Sequence, residues 1–306
     1  MKVFTQIANV KQYSAVYMAL GTFDGIHIGH QAIIARTVQQ AKNKNGSSAV
    51  FTFSNHPLNL IDADRCPPII ITNQEKIELI AELGVDILFN VPFTTELLKL
   101  TPDNFIEKIV TNINLEYVTV GENFTYGYQG SGNSEMLIAA GAKHNFAVDV
   151  VGMVDVEGIV VSSTAIRQLV ADGAVKQAAK LLGRPATISG IISKGDQRGR
   201  KLGFPTANFA IDPGLLIPAD GVYAVYVYDE TGAKFNGVAN IGDNPTFTCQ
   251  THRVEVHILD FDHVVYGQQL KIQFIDRIRG EIAFSSVEQL KKQMQADIEF
   301  SRKHYF

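Results

Sequence analysis

The stretch GTFDGIHIGH at residues 21–30 decides how the fold of this chain is interpreted. It follows a short apolar run at 15–20 and leads into an amphipathic segment at 28–42. A buried strand, a glycine-rich turn and a helix start, in that order, can bind an anion, because the first N–H groups of a helix are unpaired and its dipole attracts negative charge. The stretch therefore predicts a phosphate-binding turn at the carboxyl end of a strand.

The glycines and histidines of this turn have different predicted roles. Gly21 and Gly25 permit tight turns, and Gly29 leaves space where a phosphate approaches the backbone. His27 and His30 lie three residues apart, so a helix places them on one side of its first turn. Two imidazoles there can donate hydrogen bonds to an α-phosphate as negative charge grows on it. The alternative is that a histidine at this position only caps the helix.

Short apolar runs alternate with amphipathic segments from the start of the chain to Gly183. A parallel sheet with crossover helices requires this alternation, so the pattern predicts a doubly wound, Rossmann-like α/β domain over residues 1–183. The predicted strands are 15–20, 49–53, 85–91, 117–120 and 146–154. Three helices are predicted to begin with caps at Thr72, Thr101 and Ser163, and Gly84 and Gly173 are predicted to end the first and the last of them.

The pattern changes beyond Arg184, where six apolar runs separated by Gly, Asp or Asn are typical of strands joined by turns. Residues 184–306 are thus predicted to form an antiparallel β-barrel or sandwich with a C-terminal helix. Ser286 and Gln289 form a capping box at the start of that helix. The apolar stripe predicted to cover the barrel is Val287, Leu290, Met294 and Ile298.

Composition limits the classes of function. With 306 residues, 46% of them hydrophobic, the chain is long and apolar enough for two domains. A net charge of −4 provides no electrostatic surface for nucleic acid or an anionic membrane, so neither is expected as a partner, and self-association is left open. Without a signal-peptide pattern or a long apolar run, a cytosolic location is expected. The distant cysteines Cys66 and Cys249 indicate neither a disulfide framework nor a zinc site.

A second candidate phosphate site is VSSTAIR at 161–167, where three hydroxyls and a guanidinium precede or open a helix. A Ser/Thr cluster at this position also has a simpler interpretation as a helix cap. Together with HxGH in the same half of the chain, it resembles the ISSTxIR element of one branch of the HxGH nucleotidylyltransferases. That branch is the flavin adenylyltransferases of the prokaryotic bifunctional riboflavin kinase/FAD synthetase family.

This resemblance implies that the first domain transfers an adenylyl group from ATP to FMN and releases pyrophosphate. The residues implied in adenylyl transfer are His27, His30, Ser163, Thr164 and Arg167. The residues implied in nucleotide binding are Gly21, Phe23, Asp24, Gly29 and Ser162.

The loop VGENFTYGYQGSGN at 120–133 is similar to the flavin-site loop of that family, which implies flavin contacts from Asn123, Phe124 and Tyr126. Many members carry Asp and then basic residues where this chain has Asn123 and the uncharged residues 129–131. The two aromatic rings have two interpretations, stacking on the isoalloxazine ring or packing in the core. The segment FTFSNHP at 51–57 departs from the commoner FEPHP, and no catalytic role is assigned to it.

The stretch GDQRGRKLGFPTAN at 195–208 joins a basic, glycine-rich loop to a rigid Pro-Thr-Ala-Asn segment. The Thr206 hydroxyl and the Asn208 carbonyl are hard oxygen ligands suited to Mg²⁺ on nucleotide phosphates. For Arg198, Arg200 and Lys201 the alternative is a solvated hairpin. The segment resembles the GxxxPTAN signature of riboflavin kinases, which implies MgATP binding with Thr206 and Asn208 at the metal. The implied nucleotide contacts are Gly195, Arg200, Gly203 and Pro205.

Glu255 lies on the polar side of a predicted strand, where a carboxylate usually faces solvent. In the resembled kinases the corresponding glutamate is the general base that deprotonates the ribityl hydroxyl, and Arg279 would lie near the flavin. The resemblance thus implies a bifunctional enzyme with Mg²⁺ as cofactor and ATP, riboflavin and FMN as substrates. Two alternatives stay open: an adenylyltransferase whose barrel only holds flavin, and a flavin or nucleotide sensor without turnover.

Overall fold

The structure is a computed structural model that describes residues 1–7, 9–194, 199, 202–242 and 253–306. The chain forms two compact units, Met1–Ser163 and Thr164–Phe306, which we call the first and the second unit. Within the described ranges, no helix is both long enough and apolar enough to span a membrane.

The first unit is built on one sheet of six parallel strands in the order β1-β4-β3-β2-β5-β6. This sheet confirms the predicted α/β class. The strands are β1 Lys2–Phe4, β2 Val16–Leu20, β3 Ser47–Phe53, β4 Ile87–Val91, β5 Leu115–Gly121 and β6 Ala147–Val151. The edge strand β1 was not predicted, because its three residues are too few to show a period.

The helices of the first unit are α1 Ile28–Asn43, α2 Leu58–Ile61, α3 Asn73–Glu82, α4 Thr95–Leu98, α5 Pro102–Asn112 and α6 Ser134–His144. Two of them, α3 and α5, begin at the caps that the sequence predicts, whereas the sequence did not predict α2, α4 and α6. Thr72 accepts a hydrogen bond from the Glu75 backbone N–H at 3.2 Å, and Thr101 accepts one from the Asn104 N–H at 3.2 Å. Gly84 follows α3 with φ of +79°, which glycine adopts without strain.

The register of the sheet brings the ends of its central strands to one edge. Leu20, the last residue of β2, pairs with Phe51 of β3, and Phe53, the last residue of β3, pairs with Val91 of β4. Because these strands are parallel, the loops that follow β2, β3 and β4 all start at this edge. Open α/β sheets bind ligands at the carboxyl ends of their strands.

The predicted strand 146–154 is too long. β6 ends at Val151, and the chain then forms a small antiparallel hairpin of β7 Asp155–Val156 and β8 Ile159–Val160. The turn residues Glu157 and Gly158 have φ of +53° and +82°, as a two-residue hairpin turn requires. Apolar runs do not reveal this break because valines occur in β6 and in the hairpin alike.

Ser163 is the first residue of helix α7, Ser163–Ala171, and not the cap before it as predicted. Its hydroxyl donates a hydrogen bond to the Asp24 carbonyl at 3.0 Å, across 139 residues of sequence. A partner so distant in the chain is invisible to local capping rules. Gly173, with φ of +76°, follows the end of α7 as predicted.

The second unit contains a closed barrel of six antiparallel strands in the order β10-β13-β12-β11-β14-β9. Closure decides between the predicted alternatives of barrel and sandwich. The strands are β9 Thr187–Ser193, β10 Ala207–Ala210, β11 Gly221–Tyr228, β12 Lys234–Gly242, β13 Arg253–Ile258 and β14 Gln269–Arg279. Helix α8, Val175–Leu182, packs on β14, and the functional boundary near residue 184 stays a prediction.

The C-terminal helix α9, Val287–His304, begins as predicted, because the Ser286 hydroxyl accepts a hydrogen bond from the Gln289 N–H at 3.2 Å. The predicted apolar stripe is wrong at its start, since Val287 is 53% exposed, and Ile298 is its one buried member. Asp297, also buried, accepts hydrogen bonds from the Arg279 Nε at 3.1 Å and Nη2 at 2.8 Å. An ion pair to β14 therefore anchors the helix where the pattern predicts apolar contacts.

We expect Asp297→Asn to lower the free energy of unfolding of the second unit by about 3 kcal/mol. The change removes the carboxylate charge that faces the Arg279 guanidinium, whose side chain is only 18% exposed. Urea denaturation followed by circular dichroism measures the effect. As a control, Glu299→Gln alters an exposed carboxylate on the same helix and should change the free energy by less than about 0.5 kcal/mol. Equal stability of the two variants would contradict the anchoring role.

Candidate active sites

The turn after β2 contains backbone conformations that side chains rarely adopt. Phe23 and Ile26 have φ of +49° and +40°, and Gly25 has φ of +81°. A positive φ is strained in a β-branched residue, and such strain persists only where the surrounding structure fixes it. Ile26 is 1% exposed, and its carbonyl accepts a hydrogen bond from Gln31 Nε2 at 2.8 Å. These contacts hold the turn in place directly before the histidines.

His27 and His30 stack at the start of α1. Their ring centroids are 3.5 Å apart and their planes are inclined by 16°. His27 Nδ1 accepts a hydrogen bond from the His30 backbone N–H at 3.2 Å, so in a neutral His27 ring the proton is on Nε2. His27 thus caps the helix through Nδ1, and its hydrogen bond to a phosphate stays a prediction. Gly29 permits the stack, because a Cβ there would lie 3.2 Å from His27 Nδ1.

His30 is held in its neutral form. Burial lowers the pKa of its imidazole well below the usual range, and electrostatic interactions with His27 and Lys76 lower it further. The ring of Phe23 meets the His30 ring at 5.2 Å in an edge-on arrangement. His30 Nδ1 is buried, and no described residue forms a hydrogen bond with it. The His30 ring therefore has unused hydrogen-bonding capacity.

Asp24 connects this turn to neighbouring segments. It is 6% exposed, and its two carboxylate oxygens accept hydrogen bonds from the Ile70 N–H at 3.2 and 3.3 Å. Its carbonyl accepts the Ser163 hydroxyl, and Gly21, at the other end of the turn, donates its N–H to the Phe51 carbonyl at 3.2 Å. These contacts are structural, whereas nucleotide contacts of Asp24 and Gly21 stay predictions.

The other residues of the Ser/Thr cluster lie around the start of α7. Ser162 precedes the helix and is half-buried, Thr164 is exposed, and Arg167 is half-buried one turn later. Thr164 and Arg167 belong to the second unit. A shared role of these residues and the two histidines in adenylyl transfer stays a prediction.

The loop after β5 has an exposed and a buried part. Asn123 is exposed, and the rings of Phe124 and Tyr126 stack at a centroid distance of 5.5 Å. Tyr126 is only 8% exposed and belongs to the core, beside Phe105 and against the backbone of Gly132. Core packing is therefore the interpretation that the structure supports for Tyr126. Asn123 and the half-buried Phe124 stay candidate flavin contacts.

The departure from FEPHP at Asn55 has a structural explanation. Asn55 Oδ1 accepts a hydrogen bond from the Phe93 N–H at 2.6 Å, and its Nδ2 donates to the Phe93 carbonyl at 3.2 Å. This pair of bonds joins the loop after β3 to the loop after β4. The amide of Asn55 is thus used within the protein, as expected of a residue without an assigned catalytic role.

In the second unit, the barrel brings Thr206 and Glu255 into contact. The Thr206 hydroxyl donates a hydrogen bond to Glu255 Oε2 at 3.1 Å, although 49 residues separate them in the chain. The antiparallel pairing of β10 with β13 places Asn208 directly opposite Glu255. Arg253 Nη1 lies 3.2 Å from the other carboxylate oxygen, Oε1. The predicted base and both predicted metal ligands therefore lie together.

The chemistry of these residues fits Mg²⁺. Asn208 is 8% exposed, and no described residue donates a hydrogen bond to its Oδ1. The Thr206 hydroxyl gives its single proton to Glu255 and keeps its lone pairs for a cation. Oxygen ligands of this kind, with phosphates and waters, are the ones that Mg²⁺ prefers.

The segment before β10 is fixed by backbone contacts. Phe204 donates its N–H to the Gly199 carbonyl at 2.9 Å, and Gly203 has φ of +92°. His257 Nδ1 lies 2.8 Å from the Pro205 carbonyl, which ties the segment to β13. Residues 195–198, 200 and 201 of the predicted basic loop lie outside the described ranges, and the predicted residues Gly195, Arg198, Arg200 and Lys201 are among them.

Arg279, the predicted flavin neighbour, is engaged by the protein at each guanidinium nitrogen. Its Nε and Nη2 bind Asp297, and its Nη1 donates to the Gly280 carbonyl at 2.9 Å. The structure therefore gives Arg279 an anchoring role for α9, and a flavin contact stays a prediction.

A pocket of about 190 Å³ opens beside Thr206 and Asn208. Lys194 Nζ lies 6.0 Å from the ring centroid of Tyr266, one of the residues that line this pocket. The apolar and aromatic lining residues include Ile192, Val256, Ile258, Phe261, Val265 and Tyr266. The pocket thus offers an apolar surface next to the candidate metal ligands.

Family models match both parts of the chain. A FAD synthetase model matches residues 9–165, which contain the stacked histidines, and a riboflavin kinase model matches residues 182–305, which contain the Thr206–Glu255 pair. The chain belongs to the bifunctional riboflavin kinase/FMN adenylyltransferase family.

Curated members of this family align with almost the whole chain. The Listeria monocytogenes bifunctional riboflavin kinase/FMN adenylyltransferase is 39% identical, and the alignment covers 93% of this chain and 91% of the relative. The Bacillus subtilis member is 37% identical, with 92% and 89% covered. The Escherichia coli K12 member is 34% identical, with 100% and 98% covered.

A solved structure from Streptococcus pneumoniae, described as a macrolide-efflux protein, shares the fold of this family member. The two chains are 32% identical, superpose with a TM-score of 0.87, and are each covered over 99% of their length. An experimental structure therefore has the same fold over almost its whole length.

Two polar residues beside the sites of this family member were missed by the sequence analysis. Lys76 on α3 is buried, and His257 on β13 contacts the Pro205 carbonyl. Both belong to segments where a polar side chain between apolar ones normally faces solvent. No local pattern separates these two residues from ordinary surface positions.

Proposed function

We propose that this chain carries out both reactions for which its curated relatives are named. Riboflavin and ATP give FMN and ADP in residues 184–306, and FMN and ATP give FAD and pyrophosphate in residues 1–183. The observation that carries the proposal is that each family model covers one candidate site, the stacked histidines or the Thr206–Glu255 pair. The proposal places the enzyme in the cytosol, where ATP is available.

In adenylyl transfer, an oxygen of the FMN phosphate attacks the α-phosphorus of ATP, and pyrophosphate leaves. His27 and His30 would each donate a hydrogen bond to the α-phosphate oxygens as their charge rises. The stack supports this role because both rings open the first turn of α1, where the helix dipole also attracts the phosphate. The proposal adds Ser163, Thr164 and Arg167 as phosphate ligands, and Asn123 and Phe124 as flavin contacts.

In the kinase reaction, the terminal ribityl hydroxyl of riboflavin attacks the γ-phosphorus of ATP. Glu255 would orient this hydroxyl and accept its proton, which increases the nucleophilicity of the oxygen. The contact of Glu255 with Thr206 supports this role, because it places the carboxylate beside the proposed position of the phosphates. Arg253, 3.2 Å from Oε1, keeps the carboxylate oriented.

Thr206 and Asn208 are the residues that would hold Mg²⁺ in the kinase site. When bound, the ion neutralises charge on the ATP phosphates and so favours attack by the hydroxyl. The buried Asn208 Oδ1 without a described donor supports this assignment. The apolar pocket beside these two residues is the proposed site of the adenine ring.

Chromatography of the flavins formed from riboflavin in one tube and from FMN in another, each with protein and MgATP, tests the proposal. We expect FMN and then FAD from riboflavin, and FAD from FMN. An excess of EDTA should stop conversion in both tubes, because both reactions depend on a cation at the ATP phosphates. FAD from FMN alone would mean that the barrel has no kinase activity, and no conversion in either tube would favour a sensor.

A further inference from the structure

Lys76 of α3 is buried in the first unit. It is only 8% exposed, and its Nζ donates a hydrogen bond to the carbonyl of Phe53, the last residue of β3, at 2.8 Å. A lysine is almost never buried unless partners replace the hydration that its ammonium loses. Burial accordingly lowers the pKa of Lys76, while interaction with the Asp24 carboxylate raises it. Desolvation therefore disfavours the ammonium form at this position, and the Asp24 carboxylate favours it.

The ammonium of Lys76 lies at the edge of the sheet that carries the histidines. Phe53 ends β3, and β3 pairs with β2, which leads into the turn at 21–30. Lys76 also interacts electrostatically with His30 and Asp24, which both belong to that turn. Three elements of the first unit, α3, the end of β3 and the turn, therefore meet around one positive charge.

The hydrogen bonds of this ammonium are incomplete. An ammonium has three N–H donors, and the Phe53 carbonyl is the one acceptor of Nζ among the described residues. If Lys76 were only structural, an apolar side chain of similar length would stabilise the fold equally well, because replacing a buried ion pair with apolar residues often costs no stability. Two donors thus stay available to a ligand.

The turn at 21–30 itself provides no cationic side chain for the phosphates of ATP. The stretch 21–30 contains neither lysine nor arginine, and the pKa of His30 is too low for its imidazole to be charged at neutral pH. The departing pyrophosphate carries several negative charges, which neutral imidazoles stabilise less well than an ammonium does.

We propose that Lys76 is a further phosphate-binding residue of the adenylyl-transfer site, where its ammonium binds the β- and γ-phosphates of ATP and the pyrophosphate product. The inference rests on the proposed function of the first unit. It assigns the α-phosphate to the two histidines and the leaving group to Lys76.

The reverse reaction, in which FAD and pyrophosphate give FMN and ATP, tests this assignment with pyrophosphate itself as the probe. In the full chain, Lys76→Met should raise the KM for pyrophosphate about 10- to 100-fold, the effect of losing a hydrogen bond to a charged group, and leave the KM for FAD unchanged. Lys76→Arg, which keeps the positive charge, should recover part of the affinity. Lys42→Met removes the same charge at an exposed position of α1 and should behave as the unaltered chain.

Two further measurements separate the possible failures. FAD formation by the unaltered chain tests the proposed function, and FMN formation from riboflavin by each variant reports on the second unit. Thermal unfolding should show Lys76→Met to be at least as stable as the unaltered chain. An unchanged KM for pyrophosphate in a folded Lys76→Met, or in Lys76→Gln where the methionine variant does not fold, would overturn the assignment. Loss of stability with equal changes of both KM values would show that the lysine is structural.

Discussion

His30→Ala is expected to lower the rate of FAD formation from FMN by about 100- to 1000-fold and to leave FMN formation from riboflavin unchanged. The imidazole lies 3.5 Å from the His27 ring at the N-terminus of α1, and its Nδ1 has no partner among the described residues. Removal of the ring would take away a donor where charge develops on the α-phosphate. Steady-state rates of FAD and FMN formation, followed by chromatography, measure the effect.

A histidine elsewhere in the same unit provides the control. His144 is the last residue of α6. His144→Ala should leave both rates within twofold of the unaltered chain, which corresponds to a change of about 0.4 kcal/mol or less in the activation free energy. Thermal unfolding of His30→Ala should show that the variant is folded at the assay temperature. Loss of both activities in a folded His30→Ala would refute the assignment of one reaction to each half of the chain.

Glu255→Gln is expected to have the opposite effect, with FMN formation lowered by about 10²- to 10⁴-fold and FAD formation from FMN unchanged. The glutamine carbonyl can still accept the Thr206 hydrogen bond, but it cannot accept a proton from the ribityl hydroxyl. The change therefore separates the loss of a base from the loss of a contact. Rates measured with riboflavin and with FMN as substrates test the two reactions independently.

Glu299, the exposed carboxylate of the stability control, also provides the control for Glu255→Gln. Glu299→Gln should retain both activities, since its side chain lies on the exposed face of α9. If Glu255→Gln formed FMN at the normal rate, Glu255 would not be the base. A rise in the KM for ATP without a change of kcat would limit its role to orienting Thr206.

The class of each half and the starts of the helices α1, α3, α5 and α9 followed from the sequence, because the signals are local. A period of two or of 3.6 residues is contained within one element, and a cap such as Thr72 binds a backbone N–H three residues away. The failures also have local causes. β1 is too short for a period, and valines continue from β6 into the following hairpin, so the break between them leaves no apolar signal.

Motifs located the candidate sites but did not describe their contacts. The turn at 21–30 was found from its glycines and histidines, whereas the contact of Ser163 with Asp24 joins residues far apart in the chain. Arg279 was predicted beside the flavin because a motif assigns it there. The structure shows it bound to Asp297, on a helix whose apolar pattern indicated a different buried face.

The two candidate phosphate sites, and the residue types proposed to serve them, could be located from the sequence, because glycine, histidine, threonine and asparagine act through short-range backbone geometry and their own chemistry. Which side chains lie together in a candidate site became visible only in the folded chain. Glu255 meets Thr206 through the pairing of two strands, and Lys76 of α3 reaches the carbonyl of Phe53 at the end of β3. Burial and distant contacts depend on the packing of whole elements, which no local spacing of residues contains.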